Sequence, residues 1–224
     1  SADNPFGRFA VPAPKPMGIG AVVVLLLAAS VEASYLVLEP EASESLSTTP
    51  GSYEVVAEFE YIELDGGGEY IEDGGTFALD LSTDSLSDDS KNIVGARVVM
   101  TYSEDETSTG IGCLASGGAS EADTITGVLS HIGFNGSASG QNQDSGPTSH
   151  ETLVEWYDAS LIGNVTGVSM ADIEAGLNAN GAGLGAYSVE ISVDVSTGGG
   201  VGCTHTDNGE KVDYVIELIA LEYT

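Results

Sequence analysis

Residues 187–195 read Tyr-Ser-Val-Glu-Ile-Ser-Val-Asp-Val. Apolar side chains at 187, 189, 191, 193 and 195 alternate without a break with Ser188, Glu190, Ser192 and Asp194. Successive side chains of a strand point to opposite faces, so this stretch predicts a β-strand with one face packed and the other in water. The same period recurs outward from it. Val212–Tyr223 is a second strong strand, apolar enough to be central in a sheet or covered by a partner. Towards the N-terminus, Tyr53, Val55, Ala57, Phe59 and Tyr61 alternate with Glu54, Val56, Glu58 and Glu60, and Phe77, Leu79 and Leu81 face one way in 76–81. These two segments, separated by the turn-rich DGGGEYIEDGG of 65–75, are expected to pair as neighbours. Val94, Ala96, Val98, Met100 and Tyr102 mark a further strand over 92–102.

The middle of the chain is less regular. Residues 124–132 suit a short strand, GSASGQNQDSGPTS at 136–149 is loop by composition, and 151–157 fits helix or strand, with Trp156, the single tryptophan, as a core or interface anchor. Ser169-Met-Ala-Asp172 has the pattern of a capped helix start, running to about Leu177 and closed by Asn178-Ala-Asn-Gly181. Strands spaced by glycine-rich turns with little helix predict a mainly β fold, an antiparallel β-sandwich or jelly roll.

A different kind of segment precedes this. Met17–Leu38, MGIGAVVVLLLAASVEASYLVL, is 22 residues long and uncharged as far as Glu32. A bilayer core about 30 Å thick takes roughly 20 apolar residues as a helix, and a helix satisfies its own backbone where a lone strand cannot. The expectation is an N-terminal apolar helix, transmembrane or in an assembly core, with Ile19, Val22, Val23, Leu25, Leu26 and Leu27 as its anchoring side chains. A buried hairpin of 21–28 with 35–38 competes with it, and a secretory signal with Arg8 and Lys15 as its basic region is a weaker third reading. Domain boundaries follow: an extended proline-rich arm at 1–16, the helix at 17–38, a polar linker at 39–52 and an acidic β-sandwich at 53–224.

The chain of 224 residues carries 35 acidic against five basic side chains, a net charge of −30. Such a surface repels a phosphate backbone, which sets nucleic acid aside as a partner. Self-repulsion of this size destabilises a compact state until salt shortens the Debye length to about 3 Å at 1 M. The composition therefore predicts a halophilic setting. Arg8 and Lys15 before the apolar run, with acids after it, place 1–16 inside and the bulk of the chain outside, on a cell or particle surface. Cys113 and Cys203 are expected to form a disulfide there. Asn135-Gly-Ser137 and Asn164-Val-Thr166 match the N-glycosylation pattern.

No nucleophile elbow, zinc or phosphate-loop motif occurs, and His131, His150 and His205 have no ligand spacing and read as surface loop residues. Acids crowd two segments, at Asp80, Asp84, Asp88 and Asp89 and at Asp65, Glu69, Glu72 and Asp73, without the EF-hand spacing. No catalytic residue, metal ligand or cofactor is assigned. Gly18-Ile-Gly-Ala-Val-Val-Val is similar to the opening of the hydrophobic helix of archaellins and type IV pilins, which implies a filament core with a β-rich domain outside; 16 irregular residues precede it here. Taken together, the residues predict a non-enzymatic structural subunit of a surface assembly, a virion coat or a filament, whose partners are identical copies, other subunits and a membrane at 17–38. The alternative is a membrane-tethered binding or accessory module.

Overall fold

The computed structural model describes residues 46–86, 90–104, 106–116, 121–142, 146–198 and 201–224. The expected arm, anchoring helix and the first half of the linker lie outside the described residues, and so do Asp88 and Asp89. Among the described residues no helix is long and apolar enough to cross a membrane.

Ser47–Thr224 forms a unit of antiparallel β-sheets. Its strands are β1 (Gly51–Val55), β2 (Ala57–Glu72), β3 (Thr76–Ser82), β4 (Ile93–Tyr102), β5 (Thr107–Thr109), β6 (Asp123–His131), β7 (Phe134–Asn142), β8 (Thr148–Glu155), β9 (Gly163–Val168), β10 (Ala186–Asp194), β11 (Thr204–Thr206) and β12 (Gly209–Tyr223). Two short helices, α1 (Ile111–Ser116) and α2 (Met170–Leu177), interrupt them. One four-stranded sheet has the order β2-β12-β4-β8, and the other β3-β10-β6-β7. The two strongest sequence signals, β10 and β12, are each central, but in different sheets.

Alternation builds the core. Ala96, Val98, Met100 and Tyr102 of β4 and Val212, Tyr214, Ile216 and Leu218 of β12 meet Ile125 and Leu129 of β6 and Tyr187, Val189, Ile191 and Val193 of β10. These side chains fill the space between the sheets, most of them wholly buried. Near its end β12 slips register against β4 between Ile219 and Ala220, leaving Val94 as the extra residue. The extra residue turns Val94 to the opposite face of the sheet, where Ile219 and Leu221 already point because they alternate with Leu218 and Ala220 along β12; all three enter a second cluster. There they pack with Val55, Val165 and the α2 residues Ile173 and Leu177. Ser169 caps α2 as its sequence predicts, accepting a hydrogen bond from the Asp172 amide at 3.2 Å.

Several expectations are corrected. The 53–61 segment is two strands broken at Val56, β1 pairing with β9 and β2 with β12. The glycines 66–68 are not a turn. They continue β2 opposite Val215, Tyr214 and Asp213, where the Tyr214 ring lies so close that a methyl group on Gly67 would come 3.1 Å from its hydroxyl. β2 and β3 do not pair: the turn at Asp73-Gly74 carries the chain across to the other sheet, where β3 pairs with β10. Segment 136–149 is largely strand, not loop. Its small residues let β7 run against β8, and a methyl group on Gly136 would lie 2.8 Å from the Leu153 carbonyl oxygen. At that closed side Thr152, wholly buried, donates to the Gly127 carbonyl across the sheets at 3.1 Å.

The histidines are not in loops either. His131 ends β6, 2 % exposed and stacked on Tyr187 at 3.9 Å, while His150 and His205 lie in β8 and β11. Trp156 is a partly buried anchor, donating from its indole N–H to the Ile93 carbonyl at 2.9 Å.

Candidate functional site: a buried tetracarboxylate cluster

Strand polarity brings four connections to one end of the sandwich. The ends of β2, β4, β7 and β10 and the starts of β3, β6, β8 and β12 meet there, as the pairs Glu72 with Gly209, Tyr102 with Thr148, Asp123 with Asn142 and Asp194 with Thr124 show. Four acids converge on this end. Glu104 follows β4, Asp123 opens β6, Asp207 lies between β11 and β12, and Glu210 is near the start of β12. One carboxylate oxygen from each lies within 4.8 Å of the others. Asp123 is 0 % and Glu210 1 % exposed.

Backbone amides orient three of the four. The Glu106 amide donates to Glu104 Oε1 at 3.1 Å, the Ser196 amide to Asp123 Oδ1 at 2.7 Å, and the Gly209 amide to Asp207 Oδ1 at 3.0 Å. The second oxygens, Glu104 Oε2, Asp123 Oδ2 and Asp207 Oδ2, are buried and have no hydrogen-bond partner outside the cluster among the described residues. Among those residues, no lysine or arginine forms an ion pair with Glu104, Asp123 or Asp207. The basic side chains Lys91, Arg97 and Lys211 pair elsewhere, with Glu60, with Glu151 and Glu217, and with Asp213.

The electrostatic consequence is large. Two like unit charges about 4 Å apart repel by about 4 kcal/mol at an effective dielectric constant of about 20. Burial, and then the neighbouring carboxylates of Asp123, Asp207 and Glu106, push Glu104 up to about 7. Asp123 is raised as well, first by burial and further by Asp207, against the pull of the Ser196 amide and of a side-chain hydrogen bond with Glu210. Burial also lifts Tyr102, whose hydroxyl donates to the Asp123 carbonyl at 2.5 Å, up to about 12. A cleft of about 390 Å³ lined by Tyr70, Glu72, Asp73, Asp207 and Asn208 opens beside the cluster. On the side of Glu210 lies another, of about 240 Å³, with Tyr102, Ser103 and Pro147 in its wall.

The same end carries the disulfide. Cys113 of α1 and Cys203 are bonded, with their Cα atoms 4.7 Å apart. The sulfur of Cys203 lies 3.1 Å from His205 Nε2, whose Nδ1 is 2.7 Å from Glu106 Oε1, both side chains almost fully buried. Being bonded to each other, the cysteines offer no thiolate to a metal, so the nearby Cys113, Cys203 and His205 are not a ligand set. The remaining sites stand apart. Asn135 and Asn164 are exposed on β7 and β9, and Asp80, Asp84, Glu69, Glu72 and Asp73 are exposed and do not join the cluster. Ile19, Val22, Val23, Leu25, Leu26 and Leu27 lie outside the described residues.

The cluster is invisible to a search for crowded acids, because its members are as far apart as 104 and 210. A signal for it exists nonetheless. Asp123 falls in the apolar phase of its strand, with Ile125 and Leu129, and Glu210 in the phase of Val212, Tyr214, Ile216 and Leu218. An acid on the inward phase of a strand is buried by the alternation itself.

No protein-family model matches the chain, and no curated protein matches its sequence. Among solved structures it is similar to infectious bursal disease virus of the Gt strain, with 10% identity and a TM-score of 0.26 over 74% of this chain. The Gx strain gives 8% identity and 0.26 over 76%, and the VP2 subviral particle of the same virus 12% and 0.22 over 74%. In each case the match spans 37% of the other chain. TM-scores of this size are too low for the likeness to bear on fold or function.

Proposed function

We propose that this chain is a non-enzymatic structural subunit of a surface assembly, with its acidic β-sandwich displayed in a salty medium and residues 17–38 as its attachment to a membrane or an assembly core. The observation that carries the reading is the nesting of the strands. Reading inward along the sequence from the first and last strands of the two main sheets, β2 pairs with β12, β3 with β10, β4 with β8 and β6 with β7. That is the wrap of an eight-stranded double-sheet jelly roll, an architecture used by viral capsid domains as well as by lectins and cupins. A fold hosts many functions, so the site must choose among them. Here the space between the sheets is filled by wholly buried side chains such as Val98, Met100, Leu129, Val189, Ile191, Ile216 and Leu218. A sandwich packed in this way works through its outer surface and its loops.

In this reading identical copies are the principal partners and nucleic acid is not one, since a net charge of −30 repels phosphate. The halophilic setting, the membrane attachment and the outward orientation rest on composition and on the apolar run. The test is to express the full chain and image it in about 1 M NaCl, where the Debye length is about 3 Å, with and without lipid vesicles. Lattices, filaments or particles built of the chain are expected. A chain that stays monomeric in both conditions and leaves vesicles bare overturns the proposal.

A further inference from the structure

We propose that Glu104, Asp123, Asp207 and Glu210 form a calcium-binding site that clasps the loop end of the sandwich. Two independent observations point to a cation. The first is the set itself, with four carboxylate oxygens within 4.8 Å of one another. Calcium bonds oxygen at about 2.3–2.6 Å, so ligands on opposite sides of its shell are about twice that apart, and a set of this span surrounds one ion. The second is Asp123, 0 % exposed, with Oδ1 held by the Ser196 amide and Oδ2 buried with no hydrogen-bond partner among the described residues other than its fellow carboxyls Asp207 and Glu210. A buried carboxylate oxygen is stabilised by a donor or by a metal, and no lysine or arginine among those residues supplies charge to it.

The chemistry of the donors selects the ion. All four are hard carboxylate oxygens, with no thiolate or imidazole among them, which disfavours zinc and copper. Magnesium keeps several waters and is bound through one or two carboxylates, whereas calcium accepts a crowded and flexible set of six to eight oxygens. The remaining positions would be taken by water, which the adjacent clefts of about 390 Å³ and about 240 Å³ admit. The amide contacts to Glu104, Asp123 and Asp207 fix each carboxylate through one oxygen and leave the other available, the usual way in which second contacts aim a ligand.

Occupancy would tie together the end of β4, the start of β6 and the connection from β11 into β12. Those elements come from both sheets. The ion and the Cys113–Cys203 bond would be two fastenings on the same end of the sandwich, and the coat reading above is not needed for either.

The full chain, freed of metal with a chelator and kept in about 1 M NaCl to screen its exposed acids, is titrated with CaCl2 by calorimetry and with TbCl3 by luminescence sensitised through Tyr102, whose hydroxyl contacts Asp123. One saturable calcium per chain is expected, displacing terbium and not displaced by equimolar magnesium. Asp123→Asn keeps the shape and the Ser196 contact, and is expected to weaken calcium at least tenfold; Glu104→Gln should do the same. Asp84→Asn, on an exposed acid outside the cluster, should leave binding within twofold of the parent. Weak non-saturating binding to the parent overturns the proposal. So does equal loss in Asp84→Asn and Asp123→Asn. Should Asp123→Asn not fold, the comparison of Glu104→Gln with Asp84→Asn decides.

Discussion

Replacing both Cys113 and Cys203 by serine tests what holds the loop end of the sandwich. The bond joins residues 90 apart in sequence. In the chain-entropy treatment, removing a cross-link of that span frees about 15.5 cal/mol/K in the unfolded chain, or about 4.6 kcal/mol at 25 °C. For a unit the size of Ser47–Thr224, each kcal/mol shifts Tm by about 2–4 °C, so a fall of about 9–18 °C is expected. The folded state should change little. Neither cysteine belongs to the central apolar core, and β5 and β11, the strands beside the bond, pair over three residues in a two-stranded sheet separate from both main sheets. The far-UV circular dichroism at 25 °C should therefore match the parent, while thermal unfolding at fixed salt and protein concentration moves down. Reductant should reproduce the shift in the parent and have no effect on the double variant. A Tm within about 2 °C of the parent would refute the reasoning, because it would mean that the loop end contributes nothing to the cooperative unit.

Gly136→Ala should cost about 1–3 kcal/mol in urea denaturation, since its new methyl group would lie 2.6 Å from Val154 Cγ2 and 2.8 Å from the Leu153 carbonyl oxygen, and strands β7 and β8 would have to part. Ile132→Asn should raise stability by about 1 kcal/mol, because Ile132 holds φ 40° in the two-residue turn between β6 and β7, a conformation in which a β-branched side chain is strained and asparagine is favoured. Ser169→Ala should remove about 1 kcal/mol with the cap of α2, seen as a lower urea midpoint at unchanged slope. With a net charge of −30, Tm should climb as NaCl is raised towards about 1 M and the Debye length falls to about 3 Å; a flat or falling curve would contradict the halophilic reading.

Period-two alternation made β3, β4 and β10 legible from the chain alone, and β12 stood out by its apolar run, along with the antiparallel sandwich they build, because burial of one strand face is written residue by residue. Ser169 and Asp172 announced the cap of α2 in the same local way. The net charge, which argues for brine and against nucleic acid, is likewise a property of composition and needs no fold. Pairing was beyond such reading. The glycines of 66–68 and the small residues of β7 look like turns until Tyr214 and β8 are seen lying against them, and the crossing from β2 to β3 depends on which sheet offers an open edge. The carboxylate cluster shows the division most sharply. Each of Asp123 and Glu210 betrays itself as an acid in an apolar phase, yet that they meet Glu104 and Asp207 is decided only when nested pairing brings four chain connections to one end, since contact between distant residues is a property of the path of the chain and not of any stretch of it.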